Sequence, residues 1–284
     1  MSFSTDVKEE LSKLNNLANK SCLKSEMYGY LCSSNVSIEN QIIRFSTESE
    51  YNINRFSKLL NNLCISKYNI GIIGKNFNIT IPKKETIKLE DIYEGYNLSK
   101  NELEQKAFVR GAFLGSGSIN NPKNKYHIEI TLRSLNIAEN IVDIISKYDI
   151  NFKILNKTEK YSIYSKDGEE ISKFLAFIEA SSSMLKFEEI RVFRDMRNNV
   201  NRIVNCETAN LAKTVGAAVK QINAINKLKE TGKFNELPEN LKEIANLRIE
   251  NPEASLTELA QMLKTPIGKS GVNYRLNTIA KLAE

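Results

Sequence analysis

The stretch "AFVRGAFLGSGSINN", residues 107–121, opens as a helix and then gathers small residues: Gly111, Gly115 and Gly117 within seven positions, beside Ala112, Ser116 and Ser118. Glycine inside a helix costs about 1 kcal/mol against alanine, so these positions need a compensation. A phosphate-binding loop, a catalytic turn, or a surface where another backbone comes very close would each supply one. The phosphate loop fails on detail: "GSGSIN" lacks the third glycine of the dinucleotide fingerprint, and neither it nor "GIIGKN" (71–76) completes G-x-x-x-x-G-K-[ST]. Gly71 and Gly74 read instead as bulge or turn positions of a hairpin. The catalytic elbow Gly-x-Ser-x-Gly also fails, because the serine stands at the wrong offset and His127, a lone base with no evident acid partner, reads as structural on a strand.

The close-approach reading gains support from an internal repeat. "SEMYGYLCSSNVSI" (25–38) and "KAFVRGAFLGSGSI" (106–119) both read as helices ending in small polar residues. Each is followed by alternating β-rich sequence, a helical period (52–65 and 136–150), a second hairpin (68–81 and 151–165) and a charged helical stretch (around 83–96 and 167–180). The order is αββαββα twice, at an offset a little over 80 residues, and two copies imply a pseudo-symmetric pair rather than a solenoid. Gly111 and Gly115, four apart, share a helix face, and Gly29 and Ser33 are their counterparts. Two such helices are expected to cross with backbones nearly touching, with Gly117 ending the second as its C′ residue. The expected fold class is α+β: a body over 1–190 with repeats at about 22–97 and 104–182, a helical linker over 191–232, and an all-α domain over 233–284.

The 284 residues, 41% hydrophobic and 26% charged, suit a globular protein of two domains. No apolar run approaches the roughly 20 residues of a membrane span, and "MSFSTDVKEELSKL" has no signal-peptide core. The scattered Cys22, Cys32, Cys64 and Cys206 form no CxxC pair and lie far from the histidine, which argues against zinc or a disulfide framework and for reduced thiols in a cytosol. No metal, cofactor or membrane is expected. The net charge of +6 hints at an anionic partner, and Leu259–Ala283 carries Lys264, Lys269, Arg275 and Lys281 with no acid.

That C-terminal end is the most legible part. A helix over 208–232 places Leu211, Val215, Ala218, Ile222 and Ile225 at spacings of four and three, and stops at Thr231-Gly232. Pro238 starts a helix ending at Asn251-Pro252, and Ser255 with Glu258 forms a capping box opening "LTELAQML". After a turn at "KTPIGK", Ser270 is placed to cap "GVNYRLNTIAKLA", whose Val272, Leu276, Ile279 and Leu282 make an apolar face. This is the form of a helix-turn-helix. Ser270, Gly271, Asn273 and Tyr274 would lie near the leading end of the recognition helix, Arg275 and Asn277 carry side chains suited to guanine and adenine edges, and Thr278 lies on the same helix. Lys264, Lys269 and Lys281 suit phosphates, and Ser255 and Thr257 open the preceding helix. An ordinary trihelical bundle with a solvated face is the plainer alternative. Arg191, Arg194, Arg197 and Arg202 form either a second DNA-contacting stripe or pairs with Glu188, Glu189 and Asp195.

Two αββαββα units joined through small-residue helices resemble a monomeric LAGLIDADG homing-endonuclease scaffold. The motif falls on Val109–Gly117 and on Met27–Asn35. In that family the eighth motif position is a metal-binding acid; here it is Ser116 and Ser34, which removes the ligands a Mg²⁺ pair needs. "SFSTDVKEELSKL", "RGAFLGSGSINNPKNKYHIEI", "NRIVNCETANLAKTV" and "KSGVNYRLNTIAKLA" extend the likeness nearly end to end, and the chain resembles the WhiA family, which joins a degenerate LAGLIDADG domain to a C-terminal helix-turn-helix. The resemblance implies a non-enzymatic, sequence-specific regulator of cell division and sporulation, cytoplasmic and nucleoid-associated. Its partners would be double-stranded DNA and an RNA polymerase sigma factor or other transcription protein. Alternatives are a chromosome-associated adaptor of the division machinery, and a nuclease using other acids such as Glu129 or Glu26. The operator, the sign of regulation and the oligomeric state are left open, with a monomer favoured.

Overall fold

A computed structural model of the chain describes residues 2–94, 97, 100–158 and 160–284, and two compact units, Met1–Asp195 and Met196–Glu284, are separable. The first begins with helix α1 (Phe3–Ser12) and continues with α2 (Lys20–Cys32), β1 (Val36–Glu39), β2 (Ile42–Thr47), α3 (Glu50–Asn62), β3 (Asn69–Ile73), β4 (Asn76–Ile81) and the short helices α4 (Lys83–Thr86) and α5 (Glu90–Tyr93). The same order returns as α6 (Glu102–Ser116), β5 (Gly117–Ile119), β6 (Ile128–Leu132), α7 (Leu135–Ser146), β7 (Lys153–Lys157), β8 (Lys160–Ser165) and α8 (Gly168–Phe177). Each repeat makes a four-stranded antiparallel sheet, ordered β1-β2-β4-β3 and β5-β6-β8-β7. The last helical stretch of the first repeat breaks into two short helices, and the end of its expected range, Gly95 and Tyr96, lies outside the described residues.

Local chemistry sets these elements. Asn19, Ser49, Asn101, Ser134 and Asp167 each accept backbone N–H bonds as N-caps, satisfying donors a helix start leaves free. Asn40 and Gln41, at φ 51° and 60°, make the two-residue turn between β1 and β2. Gly74, at φ 62°, turns β3 into β4, whereas Gly71 is no bulge: it pairs regularly with Asn78 on the edge strand. On the sheets, Ile43, Phe45, Ile79 and Ile81 in the first repeat and Ile128, Ile130, Leu132 and Ile163 in the second are buried, and with the helices they form one core.

Helices α2 and α6 meet at the small residues. A Cβ added at Gly29 would lie 2.6 Å from the Ala112 nitrogen, one at Gly111 2.8 Å from the Glu26 carbonyl carbon, and one at Gly115 2.5 Å from the Ser33 Cβ. No side chain fits at such a contact. Polar bonds fasten the crossing: the Asn35 amide donates to Gly115 O over 3.0 Å, and the Asn52 amide donates to Leu114 O while its own oxygen accepts from the Tyr30 hydroxyl at 2.6 Å. Gly117 differs from its expected C′ role. It is the C-cap in extended conformation, φ −69° and ψ 146°, and the first residue of β5. Its smallness is required by the Phe113 carbonyl, which an added Cβ would approach to 2.5 Å.

Glu26 lies at the same crossing. Its carboxylate accepts from Arg55 Nε at 2.7 Å and Nη2 at 2.9 Å, and from Arg110 Nε at 3.1 Å and Nη2 at 3.0 Å. All three side chains are buried. Arg110 also pairs with Glu179, which holds φ 71° after α8 where glycine is usual.

Helix α9 (Ser181–Glu230) runs unbroken for 50 residues, so the two helical stretches expected around 186–204 and 208–232 are one element. Its start is capped from far away: the Glu10 carboxylate accepts from the Ser182 and Ser183 backbone N–H groups at 2.7 and 2.8 Å, where the helix dipole favours an anion. Its end is Gly232, left-handed at φ 75°. The second unit adds α10 (Glu239–Glu250), α11 (Leu256–Met262) and α12 (Lys269–Leu282). Their core joins Ile225 and Leu228 of α9 to Leu241, Ile244, Leu259, Val272, Leu276 and Ile279. Three expectations are corrected. Leu282 is half exposed and Ala283 takes its place in the core. Leu211 and Val215, 65% and 50% exposed, leave the buried stripe of α9 at Ala218 and Ile225. Gly268 rather than Ser270 is the N-cap of α12, with Ser270 one turn position inside.

Gly111→Ala is expected to lower unfolding stability by more than about 3 kcal/mol in a urea titration, because backbone rather than a flexible side chain must yield. Gly216→Ala, with nothing within 4 Å of its added methyl, is expected to raise stability by about 0.5–1 kcal/mol. A Gly111→Ala protein as stable as the wild type would show that the helices do not touch there.

Candidate nucleic-acid interface

The outward side of α12 is set by its inward side. With Val272, Leu276 and Ile279 buried, the 100° rotation per residue puts Ser270, Asn273, Tyr274, Asn277 and Lys281 together on the opposite face, and all five are exposed. Tyr274 is 73% exposed, high for an aromatic. Arg275 is displaced from this group: half-buried, it reaches the Asn240 carbonyl at 3.5 Å. Together with Gly271, Tyr274 and Thr278 it lines a hollow against Pro238 and Leu241 of the α10 start. Thr278 spends its hydroxyl on the Tyr274 carbonyl, at 2.9 Å. Gly271 accommodates the Ile267 side chain, 3.0 Å from where its Cβ would be.

Ser255, Thr257, Lys269 and Asn273 converge on the other flank, around a cavity of about 230 Å³ that Lys213, Thr214 and Gln221 of α9 and Arg248 of α10 also line. The Ser255 hydroxyl accepts from the Glu258 N–H at 3.2 Å, and the Glu258 carboxylate accepts from the Ser255 N–H at 2.7 Å, completing the expected capping box. The Ser255 backbone N–H first, and the Ser255 side chain second, bond the ionised carboxyl and hold Glu258 below its ordinary range. Lys264 is placed apart: its backbone N–H donates to Glu243 at 2.8 Å, and it borders a groove lined by Glu239, Glu243 and Glu250.

The arginine series divides. Arg191 is paired with Glu188 at 2.8 Å. Arg194 lies over the Tyr126 ring, 4.6 Å from its centroid, and donates to Pro122 O at 3.4 Å. Arg197 and Arg202 are exposed.

At the motif ends, Ser116 donates its hydroxyl to the Thr131 carbonyl, and the Ser34 backbone N–H donates to the same oxygen at 3.0 Å. The Ser33 hydroxyl is buried without a partner. Of the two alternative acids, Glu26 is locked between Arg55 and Arg110, and Glu129 lies 3.5 Å from His127 Nε2, so the histidine does have an acid neighbour. Among the described residues no three His, Cys, Asp or Glu side chains are grouped to share a metal.

Arg248, Lys213, Thr214 and Gln221 were not singled out from sequence. Arg248 does carry a signal: it falls four residues after Ile244 and seven after Leu241, on the buried face of α10, where an arginine needs a reason. The α9 residues carry none, because only the packing of α9 on α10 and α12 brings them to that cavity.

A LAGLIDADG-like body of two like repeats, with a C-terminal helix-turn-helix, defines the class. The family model described as WhiA LAGLIDADG-like domain matches residues 105–197, and that described as WhiA C-terminal HTH domain matches 200–283. The chain belongs to the WhiA family. It is 47% identical over 210 residues to the "Probable cell division protein WhiA" of Clostridium tetani, covering 72% of this chain and 66% of that protein. Similar relatives are matched over 58–66% of their own length. The crystal structure of full-length DUF199/WhiA from Thermotoga maritima superposes with a TM-score of 0.63 at 26% identity, over 100% of this chain and 98% of that one. The N-terminal LAGLIDADG domain of DUF199/WhiA, at 23% identity and TM-score 0.52, shares the fold over 62% of this chain and 92% of its own. Among the described residues no helix is long and apolar enough to cross a membrane.

Ser255→Ala removes one half of the capping box and is expected to cost about 1 kcal/mol of stability, read as a lower urea midpoint. An unchanged midpoint would mean that Ser255 does not hold the start of α11.

Proposed function

We propose that this chain is a sequence-specific, non-enzymatic DNA-binding regulator of cell division and sporulation, located in the cytoplasm on the nucleoid. The observation that carries the reading is the outward face of α12: five exposed polar or aromatic side chains, with no acid on the helix. Asn273 and Asn277 suit adenine edges, and Ser270, Tyr274 and Lys281 flank them. Arg275 supports the face from the side, steadying α12 on α10. The body over 1–190, the linker over 191–232 and the helix-turn-helix over 233–284 are the working division of the chain. The body serves as a dock for a transcription protein, an RNA polymerase sigma factor being the first candidate.

Loss of nuclease chemistry follows from the donor set. Serine hydroxyls at positions 34 and 116 are neutral and poor Mg²⁺ ligands beside carboxylates. Glu26 is already engaged by two guanidiniums. Supercoiled DNA incubated with Mg²⁺ or Mn²⁺ is therefore expected to stay intact, and EDTA-sensitive cleavage traceable to this chain would overturn the reading.

For recognition, Asn273→Ala with Asn277→Ala is expected to cost about 1–3 kcal/mol per lost base contact and to relax sequence preference in a mobility-shift titration with promoter DNA. Retained preference would remove the α12 face as the reader. Binding with little sequence preference in the wild type, across the genome and in vitro, would favour the chromosome-associated adaptor.

A further inference from the structure

The cavity between α9, α10 and the starts of α11 and α12 holds a charge that no carboxylate among the described residues pairs with. That charge is Arg248, 2% exposed. Its Nη1 donates to Ala254 O at 2.7 Å, and its Nε is buried with no acceptor. A guanidinium has five N–H donors, and burying one without a counter-charge is unfavourable. Burial holds its pKa below the ordinary value. Gln221, 7% exposed, lines the same space. Lys213 and Lys269 add two more cations to the lining, Thr257 and Asn273 add a hydroxyl and an amide, the Thr214 hydroxyl donates to the Asn210 carbonyl at 3.0 Å, and no lining residue is acidic. Glu258, the acid of the same turn, is folded back onto the Ser255 N–H.

We propose that this cavity is a phosphate-binding site, in which Arg248 engages the oxygens from the floor and Lys213 and Lys269 close over them from the rim. Planar N–H pairs on arginine match phosphate geometry, and hydroxyls and an amide are the neutral donors such sites add. The phosphate comes from one of two sources: a backbone diester of bound DNA, or a phosphate group on a small molecule that acts on the helix-turn-helix. The first source rests on the DNA-binding reading above; the second does not.

The test uses the full chain in chloride buffer, with inorganic phosphate as the probe. Titration is expected to shift the Arg248 side-chain NMR signal saturably. Lys213→Ala, a surface change, is expected to weaken phosphate binding at least fivefold without altering the fold, and Arg248→Lys is expected to weaken it as well. If the source is the DNA backbone, Lys213→Ala lowers DNA affinity about fivefold at 0.15 M salt for every sequence, reduces the salt slope by about one, and leaves the sequence preference unchanged. Phosphate then competes with DNA more strongly than chloride at equal ionic strength. If the source is a small molecule, phosphate binds and Lys213→Ala weakens it, while DNA affinity and slope stay unchanged. Should the wild type bind phosphate but no DNA, the cavity assignment stands and the DNA reading falls. No phosphate shift in the wild type, together with an unaltered DNA salt slope in Lys213→Ala, would overturn the proposal.

Discussion

Everything in the first unit depends on two helix backbones being allowed to touch. At the α2–α6 crossing, Gly29, Gly111 and Gly115 leave no room for a Cβ, and that closeness brings the Asn35 and Asn52 amides within reach of the other helix's last carbonyls. The carbonyls near the end of a helix lack intrahelical partners, so the crossing satisfies groups that would otherwise be buried at a cost. Two sheets of the same strand order then follow from two runs of the same element order packing on either side of one seam. Glycine's entropic penalty in each helix is offset by dispersion and hydrogen bonds that a larger residue would forbid.

The same seam explains what became of the charges there. Glu26 and Arg110 come from opposite repeats, and with Arg55 and Glu179 they make a network of two cations and two anions. Within it the buried Glu26 carboxylate receives four N–H donors, one on Oε1 and three on Oε2. Serines close both motifs, one donating to a strand carbonyl of the second repeat. In this LAGLIDADG-like body the charge network at the seam ties the two halves together. A buried arrangement of this kind sets geometry more than it adds stability.

The second unit is built on a different principle. Its three short helices bury a small core against the end of α9, and the capping box and the left-handed Gly232 settle where helices begin and stop. The consequence for function is a division of α12 into an exposed face of polar residues, a flank where Arg275 rests on α10, and a flank opening on the cationic cavity floored by Arg248.

Much of this was legible in the chain alone. The repeat, the αββαββα order, the glycine contact and the capping box at Ser255 are local or periodic features, and spacing is enough to reveal them. The motif serines were legible only through the resemblance to the LAGLIDADG family, which marks the eighth motif position. Other features were not. Gly117 needed the start of β5 and the Phe113 backbone to explain it, and Ser270 lost the cap because the helix begins two residues sooner than its polar pattern suggests. His127 acquired Glu129 across a strand neighbour, and Leu282 left the core because the last turn ends with Ala283 facing inward. The α2–α6 crossing, the pairing of Glu26 with arginines 29 and 84 residues away, and the gathering of Lys213, Arg248 and Lys269 around one cavity were decided only by tertiary structure. Sequence reports which residues share an element and a face; the burial and partners of a charged side chain depend on what packs against that face.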